Sequence, residues 1–418
     1  MIHFITLKSI KNRKFTAGLC ILSIALSVVL FLGVERLRKG ARDGFTNTIS
    51  KTDLIVGARS GPLNLLLYTV FHMGSPTNNI RYSTYEKLKK NPMINWTIPI
   101  SLGDNYKGYR VVGTNKDFFK HYKYRGDESI KMGQGKPFDG IFDVVLGAQV
   151  AKDLGHKIGD RVILSHGLSE SALYKHDNSP FQITGILEKT STPVDRGVYV
   201  SLHGIEAIHI GWETGVPSKD KEINPETITK DDIKIGQITS FFVGAKNRIL
   251  TLRLGRFIST YEDEPLLAII PGMALQELWK TMGYVEQTLF LVSLCVLIVG
   301  LLGIIISLYT SINERRREMA ILRSLGAGPV SILGLLVYES GILVFLGSLL
   351  GLVSLYGCLF LIGPFLESEF SLFIPPQLPD VKELTFLGCI MLVGFVVGFI
   401  PALKAYKNSL QDGLTIKV

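Results

Sequence analysis

The stretch NERRREMAILRSLGAGPVSI, Asn313–Ile332, lies between two long apolar segments. It sets three consecutive arginines beside acidic residues, continues with aliphatic side chains and breaks at Gly326-Ala327-Gly328. Within Glu318–Leu325, one acidic and three aliphatic residues recur at i, i+3, i+4 and i+7, the spacing of one face of an α-helix. Glycine favours the end of a helix, and Pro329 suits the first turn of the next. We therefore predict a short amphipathic helix that turns sharply into the following apolar segment.

The composition of the chain is typical of a membrane protein. Its 418 residues are 47% hydrophobic and 19% charged, and their mean hydropathy is +0.29. A helix needs about 20 apolar residues to cross a hydrocarbon core of roughly 30 Å, and four segments have that length. We interpret the first as a retained anchor, because its apolar run is longer than that of a signal peptide and no small-residue cleavage site follows. The predicted transmembrane helices are residues 16–34, 288–310, 329–361 and 384–403.

The distribution of Lys and Arg predicts that both termini are cytoplasmic. Basic residues dominate the N-terminal segment 1–15, the loop 311–328 and the tail 404–418, whereas the loop 362–383 is acidic. Because positive charge accumulates on the cytoplasmic side, residues 35–287 are placed outside the membrane. Four basic residues oppose this rule, but they open a long segment, and long segments are translocated largely regardless of charge. These four are Arg36, Arg38, Lys39 and Arg42.

Residues 35–287 are predicted to form a mixed α/β extracytoplasmic (periplasmic) domain between transmembrane helices 1 and 2. Short β-branched runs alternate there with turn signals. A capping-box pattern opens a helix over Ser83–Lys90, and Gly155 is placed to end a helix over Gly147–Leu154. Polar residues from Pro217 to Ile233 predict an inserted surface loop. The predicted strands are Tyr109–Gly113, Phe142–Leu146, Arg161–Ser165, Phe181–Leu187, Gly197–Ser201 and Ile238–Val243.

One segment of this domain, LNLLLYTVFHM at Leu63–Met73, is apolar at most of its positions. It is too short to span a bilayer, so it is either a buried core helix or an apolar surface that contacts lipid or a client molecule. Both interpretations stay open at this point. The candidate contact residues are Leu65, Leu66, Leu67 and Phe71.

Three histidines of the domain, His156, His166 and His176, lie close together in the sequence. A zinc site needs three or four ligands that converge on one point, and nothing in their spacing requires that. We expect surface or hydrogen-bonded histidines and assign no metal ligand, and we keep a zinc-handling envelope system as an alternative.

The sequence contains no recognisable catalytic motif. GQGKP at Gly133–Pro137 lacks the glycine spacing and the Ser or Thr of a phosphate-binding loop, and neither a G-x-S-x-G nor an H-E-x-x-H motif occurs. All four cysteines fall in apolar runs, which excludes a disulfide framework in the polar middle. The net charge of +9 comes largely from residues that flank the apolar segments, so we predict no nucleic-acid partner. A non-catalytic chain without a cofactor of its own is expected.

Two features of the spans predict close helix packing. Gly347 and Gly351 have G-x-x-x-G spacing, as do Gly394 and Gly398, and such pairs allow helix backbones to approach each other. Glu339 is the one acid that enters a span. It is either a functional intramembrane acid or a residue at the cytoplasmic boundary.

The quoted stretch resembles the pattern E-R-R-x-E-(I/M)-(A/G)-I-L-(R/K)-(A/S)-L-G-A of the FtsX-like permeases of ABC transporters, the MacB, LolC and LolE type. Val144–Leu164 and Phe181–Leu202 resemble parts of that family's periplasmic core domain, and the order of one span, a large outer domain and three spans is also the family's. No ATPase domain precedes the first span, so the resemblance is to a stand-alone permease. The matching residues are Glu314, Arg315, Arg316, Glu318, Met319, Ile321, Leu322, Arg323, Leu325 and Gly326.

The resemblance implies mechanotransmission. The matching residues would form the coupling helix on which a cytoplasmic ATPase dimer docks, and that partner would bind ATP and Mg. Two permeases, identical or paralogous, would pair in the inner membrane, in contact with lipid. Stalk helices over Glu35–Gly44 and Met273–Val285 would carry the motion outward to a lipoprotein, lipid-linked or other hydrophobic client, such as a periplasmic or outer-membrane protein. A transmembrane regulator that activates a periplasmic cell-wall hydrolase without transport is the alternative.

Overall fold

The computed structural model describes residues 14–166, 179–210, 227–314, 326–370 and 379–411. These residues divide into two compact units. The helical unit covers 14–40, 283–314, 326–365 and 379–411, and the α/β unit covers 41–166, 179–210, 227–282 and 366–370.

The described residues form ten α-helices and fifteen β-strands. The helices are α1 (Lys14–Thr48), α2 (Pro62–Val70), α3 (Tyr82–Lys89), α4 (Asp117–His121), α5 (Ala148–Leu154), α6 (Leu202–His209), α7 (Arg248–Ser259), α8 (Pro271–Glu314), α9 (Pro329–Phe370) and α10 (Val381–Gln411). The strands are β1 (Leu54–Ala58), β2 (Ile80–Arg81), β3 (Ile94–Tyr106), β4 (Tyr109–Thr114), β5 (Lys123–Tyr124), β6 (Glu128–Ser129), β7 (Met132–Gly135), β8 (Asp143–Leu146), β9 (Arg161–Val162), β10 (Ser165–His166), β11 (Phe181–Leu187), β12 (Val198–Ser201), β13 (Gln237–Ile238), β14 (Ser240–Ala245) and β15 (Leu266–Ile269).

Four helices, α1, α8, α9 and α10, are long and apolar enough to cross a membrane, which confirms the prediction of four transmembrane helices. All four are longer than the hydrocarbon core, and α1, α8 and the 42-residue α9 exceed it most. The 35 residues of α1 and the 44 residues of α8 correspond to about 52 Å and about 66 Å of helix. Both helices therefore continue well beyond the hydrocarbon core of roughly 30 Å.

Glycines set the packing within the helical unit. A Cβ atom on Gly347 of α9 would lie 2.7 Å from Ile24 Cβ of α1, and one on Gly351 would lie 2.8 Å from the Ala25 carbonyl oxygen. On α10, a Cβ atom at Gly398 would lie 2.0 Å from Ser340 Oγ of α9. Because no larger side chain fits at these distances, the G-x-x-x-G spacing correctly predicted close approach, of α9 to α1 and of α10 to α9.

The α/β unit is built on one mixed eleven-stranded sheet. Nine strands follow the order β15-β1-β14-β3-β4-β12-β8-β11-β7, while β10 pairs with β3 and β9 pairs with β11. Strand β3 joins two halves of the sheet, because Ile94–Ile100 pairs with β14 and Ser101–Tyr106 pairs with β4. The pairs β4–β12 and β8–β11 are parallel, and the others are antiparallel.

Most of the predicted strands and turns are confirmed, with three corrections. The strand predicted over Ile238–Val243 is interrupted at Thr239, because β13 ends at Ile238 and pairs with β2 in a separate sheet, while β14 begins at Ser240. Gly155 ends α5 in a left-handed conformation with φ +67°, which glycine adopts without strain. The capping box at Ser83 is wrong: α3 begins at Tyr82, its N-cap is Arg81, and no side chain caps it. The single strand predicted over Arg161–Ser165 is two short strands, β9 and β10, which pair with different neighbours.

The apolar segment Leu63–Met73 belongs to the core of the α/β unit. Most of it lies in α2, where Leu65 and Leu66 are both 0% exposed, and Phe71 just beyond the helix is also buried. The helix packs closely on β1, since a Cβ atom on Gly57 would lie 2.4 Å from Leu65 Cδ1. The client-contact assignment of Leu65, Leu66 and Phe71 is therefore corrected, because these side chains present almost no surface. Leu67, which is partly buried, packs against the same core.

Truncation of α2 tests its role in the core. Leu65→Ala or Leu66→Ala should each lower the free energy of unfolding by about 2–5 kcal/mol, because each leaves a cavity where a buried side chain was. Met73→Ala is the matched control, since Met73 is 55% exposed, and it should change stability by less than about 0.5 kcal/mol. Thermal unfolding of the purified full-length chain in detergent would measure the difference. Equal stability of all three variants would contradict the core assignment.

Candidate functional site

The structure describes the two ends of the predicted coupling segment. Helix α8 ends at Glu314, and α9 begins at Pro329, as the proline predicted. Gly326 has φ +91°, a left-handed backbone that suits glycine after a helix. The remaining coupling residues, Arg315, Arg316, Glu318, Met319, Ile321, Leu322, Arg323 and Leu325, lie outside the described residues. The docking helix itself therefore stays a prediction.

Glu339 lies on α9 and is 4% exposed. Its neighbour Ser340 is fully buried and packs against Gly398 of α10. The acid thus faces the interior of the helical unit. This is the arrangement expected of a carboxyl group within a membrane-spanning helix, because a lipid-facing charge is expensive.

A buried charge cluster links three helices of the helical unit. Arg36 of α1 donates from Nε to Glu383 Oε1 of α10, and from Nη2 to Glu383 Oε2 at 2.8 Å. The same Nη2 donates to the Tyr356 hydroxyl of α9 at 2.5 Å, and that hydroxyl donates to Glu383 Oε2 at 3.2 Å. Arg36 is 7% exposed and Glu383 is 4% exposed. We call these three residues the charge cluster.

Ion pairs of the helical unit account for most of the basic residues that opposed the charge rule. Besides Arg36, Lys39 Nζ pairs with Asp380 Oδ2 at 3.1 Å. Arg38 pairs with Glu35 at 2.6 Å and with Glu286 of α8 at 3.2 Å. Three of the four basic residues after the first span are thus neutralised by acids of the helical unit. Sequence reasoning set these cations aside, although acids near the start of α10 were a signal that could have pointed to them.

The second spanning helix, α8, is less covered than α1. Only 17% of an 18-residue apolar stretch of α8 is buried, against 39% of the corresponding stretch of α1. The contacts of α8 with α1 include the Arg38–Glu286 ion pair, the Phe31–Phe290 ring pair with centroids 5.7 Å apart, and a hydrogen bond from Ser27 Oγ to the Val296 carbonyl oxygen at 3.3 Å. Large apolar side chains such as Val299 and Ile306 are exposed. Helix α8 therefore offers most of its apolar surface to lipid or to another helix.

Two of the three candidate zinc ligands, His156 and His166, lie among the described residues. His156 Nε2 is 2.8 Å from the Tyr106 hydroxyl, and its Nδ1 is 3.3 Å from Asp160 Oδ2. His166 lies in β10, and His176 is outside the described residues. No group of three His, Cys, Asp or Glu side chains among the described residues could hold a metal ion.

A different histidine has a buried acidic partner that sequence reasoning missed. His209 Nε2 at the end of α6 lies 3.5 Å from Oδ1 of Asp104 in β3, which is 0% exposed. Burial opposes the charged imidazole, but the hydrogen bond and charge of Asp104 outweigh it and raise the pKa of His209. The pair joins a helix to the strand that links the two halves of the sheet.

Comparison with known families shows which family the chain belongs to. Residues 17–233, just over half of the chain, match the family model of the MacB-like periplasmic core domain. Residues 290–410 match that of the FtsX-like permease C-terminal region. The chain belongs to the family of FtsX-like permeases with a MacB-like periplasmic core domain. The second match contains the whole coupling segment together with α9 and almost all of α10.

Similarity to individual known proteins covers part of each chain. The macrolide export ATP-binding/permease protein MacB of Chromobacterium violaceum is 26% identical over 183 residues, which are 44% of this chain and 26% of that protein. The chain thus spans about a quarter of the length of this relative. The lipoprotein-releasing system transmembrane protein LolC of Xylella fastidiosa is 20% identical over 295 residues, covering 66% of this chain and 65% of LolC. The periplasmic region of MacB from Actinobacillus actinomycetemcomitans aligns with 57% of this chain and 94% of its own, at 13% identity and a TM-score of 0.33.

The charge cluster of this FtsX-like permease can be tested by a double-mutant cycle. Arg36→Gln or Glu383→Gln alone should destabilise the protein by about 3–5 kcal/mol, because each leaves one buried charge without its partner. The double variant should lose much less than the sum of the two. Lys39→Gln, in an exposed pair, is the control and should cost at most about 1 kcal/mol.

The measurement is the fraction of monodisperse protein that survives heating in detergent, followed by size-exclusion chromatography. Purely additive losses, or a control as damaging as Arg36→Gln, would show that the cluster does not hold the three helices together.

Proposed function

We propose that this chain is the permease subunit of an ABC transporter, and that it couples a separate cytoplasmic ATPase to its extracytoplasmic domain by moving its helices. The observation that carries the proposal is the continuity of α8. This one helix begins at Pro271, among residues of the α/β unit, and ends at Glu314, the first residue of the coupling motif. A helix without a break can pass a displacement at one end to the other.

We place the chain in the inner membrane. In the proposed orientation, both termini and the coupling segment lie in the cytoplasm. The partner ATPase dimer would bind ATP and Mg and close. The coupling helices docked on it would move with it. A second permease copy or a paralogue would complete the transporter. The uncovered apolar surface of α8 supports such pairing, because a large apolar surface in a membrane helix is available to another helix as well as to lipid.

A hydrophobic client, such as a lipoprotein or a lipid-linked molecule, is the proposed cargo. The support is the similarity to LolC, which covers about two thirds of both chains and whose name refers to lipoprotein release. Since Leu65 and Leu66 are buried, the client would contact other residues of the α/β unit. The chain itself would remain non-catalytic.

Docking of the ATPase is tested by substitutions on the predicted face of the coupling helix, which contains Glu318 and Leu322. Glu318→Lys or Leu322→Asp should abolish co-purification of the partner ATPase from the native host, because these residues share the predicted face. Arg317→Gln is the matched control, since Arg317 lies away from that face, and it should leave binding intact. Membrane insertion, followed by the amount of protein in washed membranes, should be equal in all variants.

The opposite result for docking is also informative. If the ATPase still co-purifies with Glu318→Lys and Leu322→Asp, and its activity is unchanged, the coupling assignment is wrong.

The client is tested by crosslinking in cells whose partner ATPase has been made unable to hydrolyse ATP. A stalled transporter should retain its cargo, so mass spectrometry should find a lipid-modified or lipid-linked molecule crosslinked to the α/β unit. A crosslinked cell-wall hydrolase without any cargo would argue instead for the regulatory alternative.

A further inference from the structure

Helix α7 of the α/β unit carries apolar and basic side chains on its outward face. Its inner face is buried through Thr251, Leu254 and Ile258. On the outward face, Ile249 is 82% exposed and Leu252 is 71% exposed. The helix contains no acidic residue. Its remaining outward residues are Arg248, Arg253, Arg256 and Phe257.

This composition is unusual for a surface helix in water but is the one found at a membrane surface. Large apolar side chains next to arginines allow a helix to lie in the headgroup region, with the apolar groups inserted and the arginines on the phosphates. Single exposed apolar residues are common on soluble proteins. Here two of them, Ile249 and Leu252, lie one turn apart and are flanked by three arginines.

A groove of about 960 Å³ runs along one edge of α7. Its other walls are β15 and the first turns of α8, so all of its lining residues belong to the α/β unit. The lining is mostly apolar, with Leu252, Leu267, Ile269, Met273 and Trp279 among its residues. The volume is at the upper end of the range of about 300–1,000 Å³ for ligand sites, and is large enough for an acyl chain.

The charges at the groove are not paired within the described part of the protein. Arg256 and Lys280 line the groove, Arg253 lies beside Arg256 on α7, and none of the three side chains has an ion pair among the described residues. Elsewhere on the same unit, exposed lysines such as Lys87 and Lys116 do have acidic partners. One acid, Glu277, also lines the groove, so the cations outnumber the acid there.

Two buried polar atoms in the groove wall are also without a hydrogen bond. Thr251 is 7% exposed, and its Oγ1 has no partner among the described residues. The same is true of Nε1 of Trp279. A buried donor without an acceptor costs free energy that an oxygen of a bound molecule could restore. The groove therefore suits a molecule with an apolar chain, ester oxygens and a negative group.

We propose that α7 and the adjoining groove bind an anionic phospholipid from the outer leaflet of the membrane in which the chain resides. One acyl chain lies in the groove against Leu252 and Met273, and the phosphate group lies between Arg256 and Lys280. The outward face of α7 rests among neighbouring headgroups. The site goes beyond the proposed transport function: it rests on the proposed orientation of the chain but not on the client or the ATPase.

Charge and chain connectivity favour lipid over a protein partner. A helix without acidic residues is complementary to an anionic surface along its whole length. Lys280 precedes Thr288, where the second span is predicted to begin, by only eight residues of one continuous helix. The groove wall is thus tied by the chain to the segment that enters the membrane.

Trp279 in the groove allows a direct test with the full-length chain in nanodiscs. Nanodiscs of phosphatidylcholine are doped either with phosphatidylglycerol brominated on its acyl chains or with brominated phosphatidylcholine at the same fraction. The fluorescence of Trp279 is obtained as the difference between the wild type and Trp279→Phe. We expect the anionic brominated lipid to quench this signal more than the zwitterionic one, and the preference to fall at 1 M salt, where the Debye length is about 3 Å.

The arginines are tested by Arg253→Gln/Arg256→Gln, which keeps Trp279 and changes exposed side chains only. The variant should lose the preference for the anionic lipid, with the lipid fraction needed for half-maximal quenching rising by more than about ten-fold. The matched control is Lys152→Gln/Lys157→Gln, which removes two exposed lysines in and beside α5 and should retain the preference.

Two outcomes would overturn the proposal. Equal quenching by both brominated lipids, or a preference unchanged in Arg253→Gln/Arg256→Gln, would show that Trp279 senses only the bulk bilayer. Protection of α7 from hydrogen exchange by a co-purified protein or by a second copy of the chain in lipid-free detergent would assign the surface to that partner.

Discussion

The close approach of α9 to its neighbours is the constraint on which the helical unit depends. Lipid supplies no hydrophobic driving force between membrane helices, so their association relies on close packing and on polar contacts. Gly347 and Gly351 allow the backbone of α1 to reach α9, and Gly398 of α10 receives Ser340 of α9. With both neighbours so near, the side chains of α9 have little freedom to repack, and α1, α9 and α10 form a tightly packed set.

The charge cluster adds a polar contact to the same three helices. A buried ion pair is not a strong source of stability by itself, because both partners lose their hydration. Its value lies in geometry: a guanidinium with two bonds to one carboxylate and a third to a tyrosine hydroxyl accepts only one arrangement of α1, α9 and α10. Helix α8 contacts α1 through the neighbouring Arg38–Glu286 ion pair at 3.2 Å.

The α/β unit combines a stable sheet with a surface of different character. Strand β3 unites the two halves of the sheet, and α2 seals one face with fully buried leucines. Helix α7 uses its inner face in the same way but leaves apolar and basic residues outside. Helix α7 thus gives the α/β unit a surface suited to lipid.

Much of this organisation is determined by the sequence alone. The four spans, their order, the α/β character of residues 35–287 and the glycine pairs follow from local composition and helical spacing, which act over one element at a time. The family pattern at Glu314–Gly326 predicts the docking segment. Its residues from Arg315 to Leu325 lie outside the described part of the chain. Only the tertiary structure decided that Leu65 and Leu66 are core residues, because an apolar helix looks the same whether it is buried or binds a client. It also decided that Arg36 pairs with Glu383, 347 residues away. No local pattern encodes that pair, since the two charges meet only once α1 and α10 have packed against α9.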